Sequence, residues 1–278
     1  MKADLSLLRP ATQEAYDAEP FAAPYLADFR RGAKRLIFLA ADHETGPDTP
    51  TAKTVARVFQ DMEPRIVVVE GIDSHPASAR WFRARVLEQA AAGCATCEES
   101  EYAASLAFGR GIPVLGGEPP DRLLLQALMK EKYSARDFLG YSLARQIPIW
   151  KRLGWIETHG LEALSEHLLK YVRNETGATT RFDYADFILW LKGPGGWDRP
   201  PLDLTPDETA PLGLAEPIPL QRLAHVVDRT REATIVRRVA SALTRRGRVF
   251  VVYGSGHYVK QRGVWENLFG PAEHSKPF

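Results

Sequence analysis

The chain has little of what marks several large classes of protein. It carries only two cysteines, Cys94 and Cys97. Two cysteines exclude the disulfide framework on which small secreted domains depend. A CxxC suits a redox pair or half of a zinc site, but there is no second Cys pair and no His close in sequence. The pair reads as two small apolar residues on one turn of helix. Charge of one sign is also missing. The formal net charge is +1, so nothing global draws the chain to nucleic acid or to an anionic membrane. No apolar run approaches the roughly 20 residues of a membrane-spanning helix. Residues 1–10 lack the apolar stretch of a signal peptide. These absences lead us to expect a soluble, cytoplasmic protein with no membrane span. Its expected partner is a small-molecule or peptide substrate, and composition does not set its oligomeric state.

What is present is ordinary globular composition, 45% hydrophobic and 26% charged over 278 residues. The apolar patterning predicts an α/β fold with a mostly parallel central sheet flanked by helices. We expect a single domain over 1–278, carrying a helical insertion at 121–221 with a lid-like, Pro/Gly-rich loop at 193–219. Residues 1–34 read as mixed, broken by Pro10, Pro20 and Pro24. A strand at 35–43, a helix at 51–62 with Val55, Val58 and Phe59 on one face, and a strand at 65–70 form a β-α-β unit. Helices follow at 76–92, with Trp81, Val86 and Leu87 as core candidates, and at 98–110. A short strand at 112–118 contains Pro113, which suits a strand start or an edge. Further helices are expected at 121–133, 135–146 (Pro148 disturbing its end), 161–172, 184–191 and 219–246. Trp190 and Trp197 bracket the Pro/Gly segment. Val249 to Tyr253 are five successive β-branched or aromatic residues, as a covered central strand requires.

Four strand ends carry ionisable groups. The first ends at Asp42-His43-Glu44, the second at Glu70-Gly-Ile-Asp73, and the third at Gly116-Gly-Glu118. The last breaks into Gly254-Ser-Gly and delivers His257. Open α/β sheets place their sites at the carboxyl ends of the strands. Imidazole and carboxylate together suit Zn, Mn, Fe or Co, and an open coordination position lets such a metal activate water. Taken alone, His43 or His257 suits a loop or cap, and Glu118 suits the first turn of a helix. Glu70 follows four apolar residues, where a carboxylate is costly without a partner. His75 is a further ligand candidate, although Pro76 after it suits a plain loop. His257 stands beyond the buried apolar run, so its truncation is expected to cost little stability.

Leu36-Ile-Phe-Leu-Ala-Ala-Asp-His43, a helix, and then Ile66-Val-Val-Val-Glu70 resemble the opening of the TraB/PrgY family and its TIKI relatives. The wider clan includes the erythromycin esterase-like and haem-binding ChaN-like proteins. Its pattern runs Gly-x-x-His after the first strand, Glu at the end of the second, and Gly-Glu after the third. A late helix then carries an Arg-acid pair, and a second Gly-x-x-His follows the last strand. Glu70, Gly117-Glu118, Arg231-Glu232 and Gly254-Ser-Gly-His257 match in order. Ala40-Ala-Asp-His43 departs, with Ala where the pattern has Gly. The resemblance covers 35–120 and 222–260.

It implies an active site at the strand ends. For TIKI-like members it implies metal-dependent peptide cleavage, for the esterase branch lactone hydrolysis, and for ChaN haem binding. In this chain it implies that His43, Glu70, Glu118 and His257 hold a divalent ion (Mn, Zn or Co) or work as acid and base. Arg231 would orient a carboxylate or meet developing charge. The expected function is metal-assisted hydrolysis of an amide (peptide) or ester bond. The alternative is a non-catalytic binder of haem or another small molecule, and a degenerate member with an interaction role is a third reading.

Overall fold

The computed structural model describes residues 1–10, 12–73, 75–211 and 216–276. The chain divides into two compact units, Met1–Pro119 with Glu232–Phe278, and Pro120–Arg231. The first unit holds the sheet. Its strands are β1 Tyr25–Arg31, β2 Lys34–Ala41, β3 Ile66–Asp73, β4 Val114–Glu118, β5 Arg248–Gly254 and β6 Glu273–Ser275. Their order is β4-β3-β5-β2-β1-β6. The first four in that order run parallel, and β1 and β6 add antiparallel strands beyond β2.

The two-residue period of a strand sorts its side chains onto two faces. In β5, Val249, Val251 and Tyr253 enter one apolar cluster and Phe250 and Val252 the other. Leu36, Phe38 and Ala40 of β2 side with the first set, Ile37, Leu39 and Ala41 with the second. Helices cover both faces. One is covered by Ile235 to Leu243 of the Pro219–Arg246 helix and by the Ser255–Phe269 helix. The other is covered by the Pro50–Asp61, Pro76–Ala91 and Glu99–Gly109 helices. A strand apolar on both sides therefore sits where both sides are dry.

Several expectations need correction. Residues 25–31 form a strand, because Tyr25, Ala27 and Phe29 alternate inward. Gly32, at φ 59°, turns the chain back into β2. Phe82 and Val86 are buried on the Pro76–Ala91 helix, whereas Trp81 and Leu87 are 61% and 46% exposed. Trp81 lies beneath the Arg85 guanidinium instead. Pro148 does not end its helix, which runs Ala135–Arg152. Proline removes one backbone donor there, and the burial of Ile147 and Trp150 on either side holds the turn. Cys94 and Cys97 are not on a helix. Gly93 and Cys94 take φ of 79° and 59°, ending the helix after Ala91, and the turn brings the two cysteines into a disulfide. Among the described residues, no helix is long and apolar enough to cross a membrane.

The second unit is helical, with Asp121–Lys130, Ala135–Arg152, Trp155–His159, Leu161–Thr176 and Tyr184–Lys192 as its main elements. Its own core includes Phe138, Leu143, Phe187 and Trp190. The 193–219 segment is tied to that core. Trp197 and Leu204 are buried, the Tyr141 hydroxyl donates to the Thr209 carbonyl, and Gln221 Nε2 donates to the Asp207 carbonyl. The tryptophans thus serve as anchors. Residues 212–215 of the expected lid lie outside the described residues.

The helix facing β3 provides a direct test. Phe82→Ala should cost roughly 3–5 kcal/mol, the usual loss for a buried Phe. Trp81→Ala, at a side chain that is mostly exposed, should stay within about 1 kcal/mol. Urea denaturation of both variants checks this, and equal losses would contradict the register of that helix.

Candidate metal centre at the strand ends

Because β4, β3, β5 and β2 are parallel neighbours, their carboxyl ends share one edge. Along it the chain sets Glu118, Glu70, His257 and His43 in that spatial order. Glu70 is the hinge of the arrangement. The β3–β4 register shifts between Val69 and Asp73, so Glu70 sits on a bulge, where a strand re-aims a side chain. Gly71 follows at φ 85°, a conformation few other residues adopt. Glu70 Oε2 accepts from the Gly254 N–H at 2.9 Å, and Oε1 lies 3.2 Å from His257 Nε2.

His257 does not stand in a loop. Gly254 is the N-cap of the Ser255–Phe269 helix, and His257 is in its first turn, only 7% exposed. Its Nδ1 lies 2.7 Å from Glu232 Oε1, a charge pair rather than a straight hydrogen bond. Glu232, 2% exposed, also meets Lys260 Nζ at 2.9 Å and accepts from Gln261 Nε2 at 2.6 Å. Trp265 Nε1 donates to Gln261 Oε1 in turn. His257, Lys260, Gln261 and Trp265 follow the three- and four-residue spacing of one helix face. Burial opposes a charge on His257, but the carboxylates of Glu232 and Glu70 outweigh it, and the imidazole is pushed up to about 9. Burial likewise opposes the Glu232 charge, but His257 and Lys260 prevail and lower it to about 2. These are two ends of one pair, and its effect counts once.

His43 repeats the pattern on the other side. Its Nδ1 lies 2.8 Å from Glu99 Oε1, and Glu99 is almost fully buried while His43 is about half exposed. The bond to Glu99 is the main cause that raises His43 to about 9, against the cost of burial. Gly254 lies between the two halves. A Cβ there would come within 3.0 Å of His43 Nε2 and 3.5 Å of Glu70 Oε2. The first glycine of Gly-x-x-His therefore leaves the space in which these two side chains meet. Ala40, by contrast, sits in extended β2 backbone paired with Tyr253, where a glycine is not needed.

Two sets of possible ligands result. His43, Glu70 and Glu99 each offer an atom within 4.8 Å of the others, and so do Glu70, Glu118 and His257. Among the described residues these sets share Glu70 and no set contains both histidines. Arg238 Nη1 donates to the carbonyls of Gly116 and Glu118 and so holds the end of β4. Arg231 is the last residue of the second unit. The contact to His257 is made by Glu232 beside it. His75 caps the Pro76–Ala91 helix, accepting from the Ala77 N–H. Glu44 accepts from Thr51 at the start of the Pro50–Asp61 helix. Neither joins the two sets. Glu99, Lys260 and Gln261 went unread in the sequence. The last two become legible once a helix is known to begin at Ser255, but nothing near Glu99 in sequence marks it as the partner of His43.

No family model and no curated protein matches the chain.

Burial of His257 reverses the expectation of a small stability cost. His257→Ala leaves Glu232 buried with Lys260 as its remaining cation, and should cost roughly 3 kcal/mol. The raised imidazole also sets a pH dependence. Relative to its ordinary value of 6.5, the folded value of about 9 means that the pairing stabilises fully below pH 6.5. That stabilisation is lost as pH rises through 9. Metal-free protein should therefore melt lower at pH 9.5 than at pH 6, with a shallower slope in His257→Asn. Calorimetry across that range checks both statements.

Proposed function

We propose that this protein is a hydrolase that cleaves an amide (peptide) or ester bond with a divalent cation, Mn, Zn or Co, held by His43, Glu70, Glu118 and His257. One observation carries the reading. Two histidines, each with Nδ1 against a buried carboxylate, flank the carboxylate of Glu70. A buried carboxylate beside an imidazole orients the ring and raises its basicity, the usual support of a metal-ligating histidine. A lone pair and a carboxylate repel unless a proton or a cation lies between them. The nitrogen and oxygen donors fit a borderline cation of this class. When bound, such a cation supplies Lewis acidity toward a carbonyl oxygen and makes water nucleophilic near neutral pH.

The residues of the chain supply orientation. Glu232, Lys260 and Gln261 hold His257 in one position, Glu99 holds His43, and the Gly254 N–H fixes Glu70. His43 is the more exposed imidazole, so its side of the site is the one open to substrate.

The test is turnover of a peptide and ester panel after chelation and after return of Mn, Zn or Co. Chelation should abolish cleavage and one of the three ions should restore it. That ion should also raise stability by about 2.7 kcal/mol at a hundredfold excess over Kd. Glu70→Gln should stay folded and inactive. Cleavage indifferent to chelation, or no cleavage with any ion, would overturn the proposal.

A further inference from the structure

The two ligand sets at the strand ends differ from a single four-ligand site in one respect. His43 and His257 belong to different sets, and only Glu70 belongs to both. The set around His257 contains the three sequence-legible residues Glu70, Glu118 and His257. The set around His43 contains Glu99, which no motif marked. The question is what Glu99 does there.

Its helix does not require it. The first turn of the Glu99–Gly109 helix is closed by a capping box between Glu98 and Glu101. A positive helix end favours an acid, but that does not account for burying one. Glu99 is 4% exposed. One oxygen faces His43 Nδ1, and the other, Oε2, is buried with no hydrogen-bond partner among the described residues. A buried carboxylate oxygen without a donor is costly, and cations satisfy such atoms. The neighbourhood offers a path in, because His43 is about half exposed while Glu99 is covered.

We propose that the centre takes two divalent cations, one in the Glu70, Glu118, His257 set and one in the His43, Glu70, Glu99 set, with the Glu70 carboxylate shared between them. This rests on the metal-assisted reading above and deepens it. A carboxylate has two oxygens and can serve one ion with each. Glu70 already directs its oxygens apart, Oε1 to His257 and Oε2 to the Gly254 edge beside His43. Paired cations are the arrangement by which many hydrolases stabilise both the attacking and the leaving oxygen. The Glu99 ligand separates this proposal from a single ion held by the two histidines and the two motif glutamates.

The experiment is a Mn(II) titration of the full chain by calorimetry, with metal content after gel filtration and low-temperature electron paramagnetic resonance of the loaded protein. Wild type should bind about two ions per chain and show a spin-coupled pair. Glu99→Gln should bind about one and show an isolated ion. If that variant does not fold, the wild-type stoichiometry and spectrum decide by themselves. One uncoupled ion in wild type, or an unchanged stoichiometry in a folded Glu99→Gln, overturns the two-cation proposal and leaves the proposed function standing. No bound ion in wild type overturns both.

Discussion

A carboxylate placed between two imidazoles must be reconciled with both of them, and that constraint shapes the whole strand-end edge. Glu70 reaches its position because β3 bulges there and Gly71 takes a positive φ. It meets Gly254 because β5 lies between β2 and β3. Each histidine facing it then needs a counter-group behind it, and Glu99 and Glu232 take that place from two different helices. The chain thus surrounds one half-buried acid with two charge pairs, each of which would be expensive to half-complete.

Such a cluster is a poor source of stability. Buried ion pairs roughly balance their desolvation, and replacing them by apolar residues is often stabilising. The first unit draws its stability from the doubly covered sheet, where Phe38, Phe250, Val251 and Tyr253 are completely buried. The dry layers on both faces allow the edge to carry charge. Tyr253 joins the two regions, since its ring is packed in the core and its centroid lies 5.0 Å from that of the His257 ring in a T-shaped arrangement.

The parallel strands and most of the helices were legible because their apolar periodicity is strong, and the Pro219–Arg246 helix was read to its ends. β1 was missed because three prolines precede it and its alternation is short. The two cysteines were misplaced because the turn holding them depends on positive φ values that no local pattern announces. At the candidate site, a residue was legible where it lay at or just past the end of a strand, as with His43, Glu70, Glu118 and His257. The groups behind the histidines were harder. Glu232 had a motif, whereas Glu99 is 56 residues from His43 in sequence, and only the folding of the chain brings them together. Reading Gly254-Ser-Gly as a loop also hid the helix that supplies Lys260 and Gln261.

The place of β5 between β2 and β3 has a consequence for synthesis on the ribosome. A nascent chain that has emerged through Glu118 contains β2, β3 and β4, yet β2 and β3 pair with β5 and not with each other. Residues 119–247 must be made before the intervening strand appears. During that interval the apolar faces of two strands wait without their shared neighbour, which is the condition under which edges meet the wrong partner. The helical unit encoded in between is one continuous stretch with its own core, so it can fold while the sheet is still open. Late closure by one C-terminal strand also means that the acid on β3 receives its Gly254 and His257 partners at the last step. An unfinished chain therefore cannot assemble the strand-end cluster early.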